Sequence, residues 1–302
     1  MNQQDTQQVF KGMRQFRYQR PEVLLQDAIN SPYFWWWTYL RLSKDYWWTC
    51  QLNGQANDAR LRSMYRDFGN VFDMTFEQWW QRNGSDLFAE RIKPPCVREL
   101  NPMRLRLSPG MSSHLLLEIP LHLTEATIVK QVKALLRQHP KREVERRSTA
   151  RRALAKFTGI RKDLLQIAHQ TWQLYAESRD PEKTHKIGQV QGSMSLYQIG
   201  KQLRLVKTCM PVGTDNAERA AKRVNGMKVA VTRMLKRAQS LMDNAAVGVF
   251  PCMQQLAEPI VWRNLQRQAM AEAVARGEWR PLFEHTRPLK VQLRDDDDLL
   301  SP

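Results

Sequence analysis

The sequence predicts a mainly α-helical protein: a Trp-rich helical N-terminal domain, a small α/β segment and a helical C-terminal domain. Three observations predict it. Aromatic residues between 35 and 80 recur at helical intervals. The apolar positions 227, 231, 234, 235, 238, 241 and 242 follow one face of a 3.6-residue period. Strand-like patterning is confined to two short runs within 97–120. With 302 residues and 42% hydrophobic content, the chain can bury a substantial core.

Residues 1–20 read as a flexible basic arm, in which Lys11, Arg14, Arg17 and Arg20 alternate with Phe10, Phe16 and Tyr18. Such a mixture can stack on bases and neutralise phosphate, although a loose terminus has the same composition. Residues 21–92 form the Trp-rich helical domain and hold seven of the ten tryptophans. At helical spacing these rings are expected to pack together, and any surplus ring offers a base-stacking platform, a protein interface or a means of self-association. Thr75 with Gln78 is a capping box opening a helix that should end near Asn83-Gly84.

The segment 93–140 reads as small α/β. Strands are expected at 97–107 and 114–120, the second ended by Pro120, and then a helix capped by Thr124 with Ile128, Val132, Leu135 and Leu136 on its apolar face. No glycine-rich phosphate loop occurs here or elsewhere in the chain. Residues 141–163 are a basic segment, and 164–285 a helical domain. The latter opens with Leu165, Ala168, Trp172 and Tyr175 on one stripe, where His169 reads as a packed histidine. Residues 178–193 should be a loop, and 256–276 a helix with Ile260, Leu265, Met270 and Ala273 inward. The end, 286–302, is an acidic tail with the composition of a disordered segment, suited to docking on a partner or folding back over basic surface.

Charge is distributed in blocks. The formal net charge is +17. Residues 130–163 hold twelve basic side chains against three acidic ones, and 201–237 ten against two, so these two blocks account for the whole excess. Clustering of this kind is the footprint of a polyanionic partner, nucleic acid above all, with two solvated helical faces as the plain alternative. No apolar run reaches the eighteen residues of a membrane span and the start is polar, so neither a membrane partner nor a secretory signal is expected. Cys50, Cys96, Cys209 and Cys252 lie far apart with no ligand spacing, and neither a metal site nor a cofactor is expected. The carboxylates Asp58, Asp67, Asp73, Glu77, Asp86 and Glu90 are numerous enough to hold Mg²⁺ but match no motif.

The most specific pattern lies within 193–250. Ile199-Gly200-x-x-Leu203, followed by Val231-Thr232-Arg233-x-Leu235, resembles the helix-turn-helix pattern of bacterial DNA-binding regulators. More broadly, 165–250 is similar to uncharacterised proteins of bacterial mobile elements and phages, in which a Trp-rich N-terminal segment precedes a helix-turn-helix-like C-terminal domain. The chain departs from that pattern between Val206 and Asn225, where a tight turn is normal. Here Asp215 with Glu218 predicts a further helix at 217–223, read either as an insertion or as part of a different helical arrangement.

The resemblance implies that Asn225, Lys228, Thr232 and Arg233 meet the groove, with Asn225 and Lys228 reaching base edges. Lys201, Arg204, Lys222, Arg223, Lys236 and Arg237 are then expected to position the duplex through its phosphates. From the basic segment, Lys141, Arg142, Arg146, Arg147, Arg151, Arg152 and Lys156 add sequence-independent affinity. The expected function is double-stranded DNA binding by a cytoplasmic, nucleoid-associated regulator or accessory factor of a bacterial mobile element, with no catalytic role assigned. Two alternatives stand beside it. One is a structural RNA- or DNA-binding subunit of a ribonucleoprotein or anti-phage defence complex. The other is a metal-dependent nuclease using Asp67 and Asp73.

Overall fold

Short polar caps set where the N-terminal helices begin. Ser31 accepts the Tyr33 amide at 3.2 Å and Pro32 takes the first position of its helix, Ser43 accepts the Tyr46 amide, and Asp58 accepts the Arg60 amide at 2.8 Å. Each satisfies a backbone donor that the helix itself leaves unpaired. The helices so defined are α1 (Pro21–Ile29), α2 (Pro32–Leu40), α3 (Lys44–Gln51) and α4 (Ala59–Phe68). This computed structural model describes Phe10 and residues 21–90, 117, 119–120, 122–138, 148–155, 162–179 and 194–281. The chain divides into two compact units, Met1–Glu90 with Ala150–Pro302, and Arg91–Thr149.

The capping box at Thr75 and Gln78 is present, with both reciprocal bonds made. The helix it opens does not stop at Gly84. It runs through α5 (Phe76–Trp79), a π turn (Trp80–Gly84) and α6 (Ser85–Phe88), and Gly84 itself is helical at φ −66°. Close approach explains the glycine. A Cβ there would lie 2.6 Å from Trp80 Cε3 and 2.8 Å from Trp79 Cζ3, so the missing side chain admits two indole rings rather than ending the helix.

The C-terminal part of this unit comprises α8 (Lys162–Glu177), α9 (Leu196–Leu203), a 3₁₀ turn (Lys207–Cys209), α10 (Ala217–Ala246) and α11 (Asn264–Ala275). Three expectations change here. Residues 217–223 are the first turns of the 30-residue α10 rather than a separate helix, and the cap is Asn216, accepting from the Arg219 amide, not Asp215. The helix expected over 256–276 starts only at Asn264, beyond Pro259, which disfavours helix in the residue before it. Ile260 lies outside that helix, and Leu265 is 82% exposed rather than inward.

The Trp-rich helices and the C-terminal helices share one core, so the boundaries drawn at 21–92 and 164–285 do not separate two folded bodies. Trp36 is buried, donates from Nε1 to the Ala245 carbonyl at 3.2 Å and stacks on Phe250. Tyr39 donates to the Leu165 carbonyl at 2.8 Å, and Trp262 Nε1 to Asp45 at 2.7 Å. Burying a tryptophan of this size contributes on the order of 5 kcal/mol of transfer free energy, which neither segment obtains alone. Phe10, expected in a flexible arm, is buried against Tyr33 and Trp80. The other residues of that arm lie outside the described residues, as do 180–193 of the expected loop and the acidic tail 286–302.

In the second unit, α7 (Glu125–Gln138) starts where Thr124 Oγ1 accepts the Thr127 amide, as the cap predicts. The small α/β reading is not supported. Leu117, Ile119 and Pro120 belong to no strand, and Leu117 and Ile119 are exposed with no neighbouring strand edge, among the described residues, to take their backbone hydrogen bonds. The strand expected over 97–107 lies outside the described residues.

Candidate nucleic-acid interface

The candidate interface is built on the crossing of α9 and α10. Ser195 and Gln198 form a second capping box, which starts α9 so that Ile199 and Gly200 face α10. A Cβ on Gly200 would fall 2.5 Å from the Met227 side chain and 2.9 Å from Val231, so the helices touch through the small residue. Met227, Ala230, Val231, Met234, Ala238, Leu241 and Met242 are buried along α10, and this stripe fixes which residues point away.

Away from the core lie Lys222, Asn225, Lys228, Val229, Thr232, Arg233 and Lys236, all exposed. Between Glu218 and Asp243, α10 carries no acidic residue. The ion pair of Lys222 with Glu218 at 2.7 Å joins two side chains about three-quarters exposed, a contact of small energy that a phosphate can displace. Thr232 is exposed and donates its hydroxyl to the Lys228 carbonyl at 2.9 Å, a bond within the helix.

Other expected contacts are placed differently. Arg223 is half-buried, pairs with Asp215 at 2.7 Å and donates to the Thr208 carbonyl, so it pins the connection ahead of α10 rather than reaching outward. Arg237 is half-buried on the flank of α10, whereas Lys201 and Arg204 are exposed at the C-terminal end of α9. Asn225 and Lys228 lie well inside α10 and not at the N-terminus of a recognition helix, because the connection from Arg204 to Asn216 replaces the tight turn of the resembled pattern.

In the basic segment, Arg152 is turned inward. Its Nε donates to Asp67 at 2.5 Å, its Nη2 to Ser63 at 2.5 Å, and its amide to the Leu87 carbonyl. Arg151 stands 3.4 Å from the same carboxylate. Both therefore offset the charge of Asp67, and Arg152 is a packing residue. Lys141, Arg142, Arg146, Arg147 and Lys156 lie outside the described residues.

The carboxylates do not converge. Asp67 is held by arginines, Asp73 accepts from Asn70 at 2.5 Å, and Asp58 is bound by Arg60, which holds its carboxyl below the usual range through a direct hydrogen bond. Among the described residues no group of three or more His, Cys, Asp or Glu is placed to hold a metal ion. His169 is buried between the Trp35 and Tyr39 rings, where loss of water pushes its pKa down to about 4.

Two members of the exposed surface escaped sequence reasoning. Arg219 is exposed on α10 itself, but it precedes the stretch read as a groove helix, and only the continuity of α10 brings it into line. Val229 is 48% exposed amid charged neighbours, although its type alone points to the core. Among the described residues no helix is long and apolar enough to cross a membrane. No family model, curated protein or solved structure matches the chain, and the resemblance to mobile-element proteins therefore rests on its motif residues.

Proposed function

We propose that the protein binds duplex nucleic acid, DNA foremost, by laying the outer face of α10 against the phosphates. We propose further that it acts as a regulator or accessory factor of a bacterial mobile element, working among nucleoid DNA in the cytoplasm. The sign of the α10 face carries the first part. Lys222, Lys228, Arg233 and Lys236 are exposed on a helix stretch without acidic residues, and they span roughly 20 Å at the helical rise per residue. Each phosphate they neutralise releases condensed counterions, which favours binding whatever the sequence. The resemblance in 165–250 supports the second part.

The competing readings have less to stand on. An assembly subunit docking through its aromatic domain needs rings at the surface, yet seven of the ten tryptophans are buried. A nuclease needs free carboxylates, and Asp67 is held by Arg151 and Arg152.

The test is binding of the purified chain to a labelled duplex at low salt, with Lys228→Ala/Lys236→Ala beside wild type. Loss of two phosphate contacts should weaken binding by about tenfold or more, irrespective of duplex sequence. Equal affinity of the two proteins would remove α10 from the interface.

A further inference from the structure

The outer face of α10 is not uniformly charged. Asn225, Val229 and Thr232 follow one another at i, i+4 and i+7, and at 100° per residue they form one line down the helix. Cations frame that line. Lys222 and Lys236 stand at its ends, and Lys228 and Arg233 on its two sides. A solvated helix surface needs no such order, and Val229, at its centre, is 48% exposed amid charged neighbours.

We propose that Asn225, Val229 and Thr232 read base edges in the major groove of B-form DNA, at a site containing A·T pairs. This rests on the reading of α10 as the nucleic-acid interface and adds what that interface recognises. The geometry fits a groove about 12 Å wide, whose walls are phosphates and whose floor is base edges, with cations outside and uncharged groups between. The chemistry selects the bases. An asparagine amide pairs as donor and acceptor with N6 and N7 of adenine, and aliphatic methyls pack on the C5 methyl of thymine. Thr232, exposed on this line, carries such a methyl, and its hydroxyl is already engaged by the Lys228 carbonyl. Duplex RNA satisfies neither requirement, since uracil lacks the methyl and the A-form major groove is too narrow for a helix.

The experiment enriches preferred sites from a randomised DNA duplex pool with the full chain, then measures affinity for the enriched site, a shuffled site, and the enriched site with deoxyuridine in place of thymidine. We expect A·T pairs in the enriched core and a preference over the shuffled site of about tenfold or more, the discrimination of one good bidentate contact. Deoxyuridine should weaken binding severalfold. Asn225→Ala should abolish most of the preference for the enriched over the shuffled site. Salt-dependent duplex binding with no enriched site, or full preference retained in Asn225→Ala, would overturn this inference and leave phosphate binding by α10 standing. Absence of salt-dependent duplex binding in wild type would remove the underlying function together with it.

Discussion

His169 shows how burial alone decides the behaviour of one residue. On the sequence it sits on an apolar stripe. In the fold it is fully buried beside the Trp35 and Tyr39 rings, and the cost of charging it there pushes its pKa to about 4, from an ordinary value near 6.5. Between those values the unfolded chain binds more protons than the folded one, so the histidine's contribution is fully present above pH 6.5 and is lost as pH falls towards 4. Urea unfolding at pH 7.5 and 4.5 should differ by up to about 3 kcal/mol from this group. The same comparison in His169→Phe should be flatter. The phenols of Tyr39 and Tyr46 respond to the same physics in the opposite direction, pushed well above their ordinary range by burial. Arg152 makes the complementary point: a basic residue in a basic run is committed to Asp67 and Ser63, a long-range pairing that no local pattern records.

At the scale of elements, contact through a missing side chain was legible and helix continuity was not. Gly200 reads as a crossing point because it interrupts an otherwise apolar helical pattern, and the crossing with Met227 and Val231 is there. Gly200→Val should therefore destabilise the fold by about 1–3 kcal/mol, as expected when bulk is forced into a packed contact, and denaturant unfolding measures it. On the sequence α10 reads as a helix at 217–223 apart from the apolar face that begins at 227, and the pair between them, Asn225-Gly226, is turn-forming by composition. Inside the fold Gly226 is helical and admits Cys209, whose Sγ would lie 2.8 Å from a Cβ at that position. Tertiary packing overrides the local preference there. The capping boxes at Thr75 and Ser195 and the cap at Thr124 are local hydrogen bonds and behave as the sequence predicts. The strands expected around 114–120 required a partner edge, which is non-local information.

The larger unit is organised around aromatic residues that join distant parts of the chain. Trp36 bonds to Ala245, Tyr39 to Leu165 and Trp262 to Asp45, and the three contacts tie α2 and α3 to α8, α10 and the segment before α11. The fragment 21–90 on its own should lack cooperative thermal unfolding, whereas in the full chain the tryptophan fluorescence, which reports on the larger unit, should be lost in one cooperative transition. This arrangement also explains why the outward face of α10 is free to be polar, since its inner face is already committed to the shared core. Phosphate binding by this outer face is tested by the dependence of duplex affinity on salt. For wild type, log K against log salt concentration should fall steeply, and replacing Lys222, Lys228, Arg233 and Lys236 by alanine should reduce the slope by about 3–4. An unchanged slope in that variant would place the phosphate contacts elsewhere than on α10.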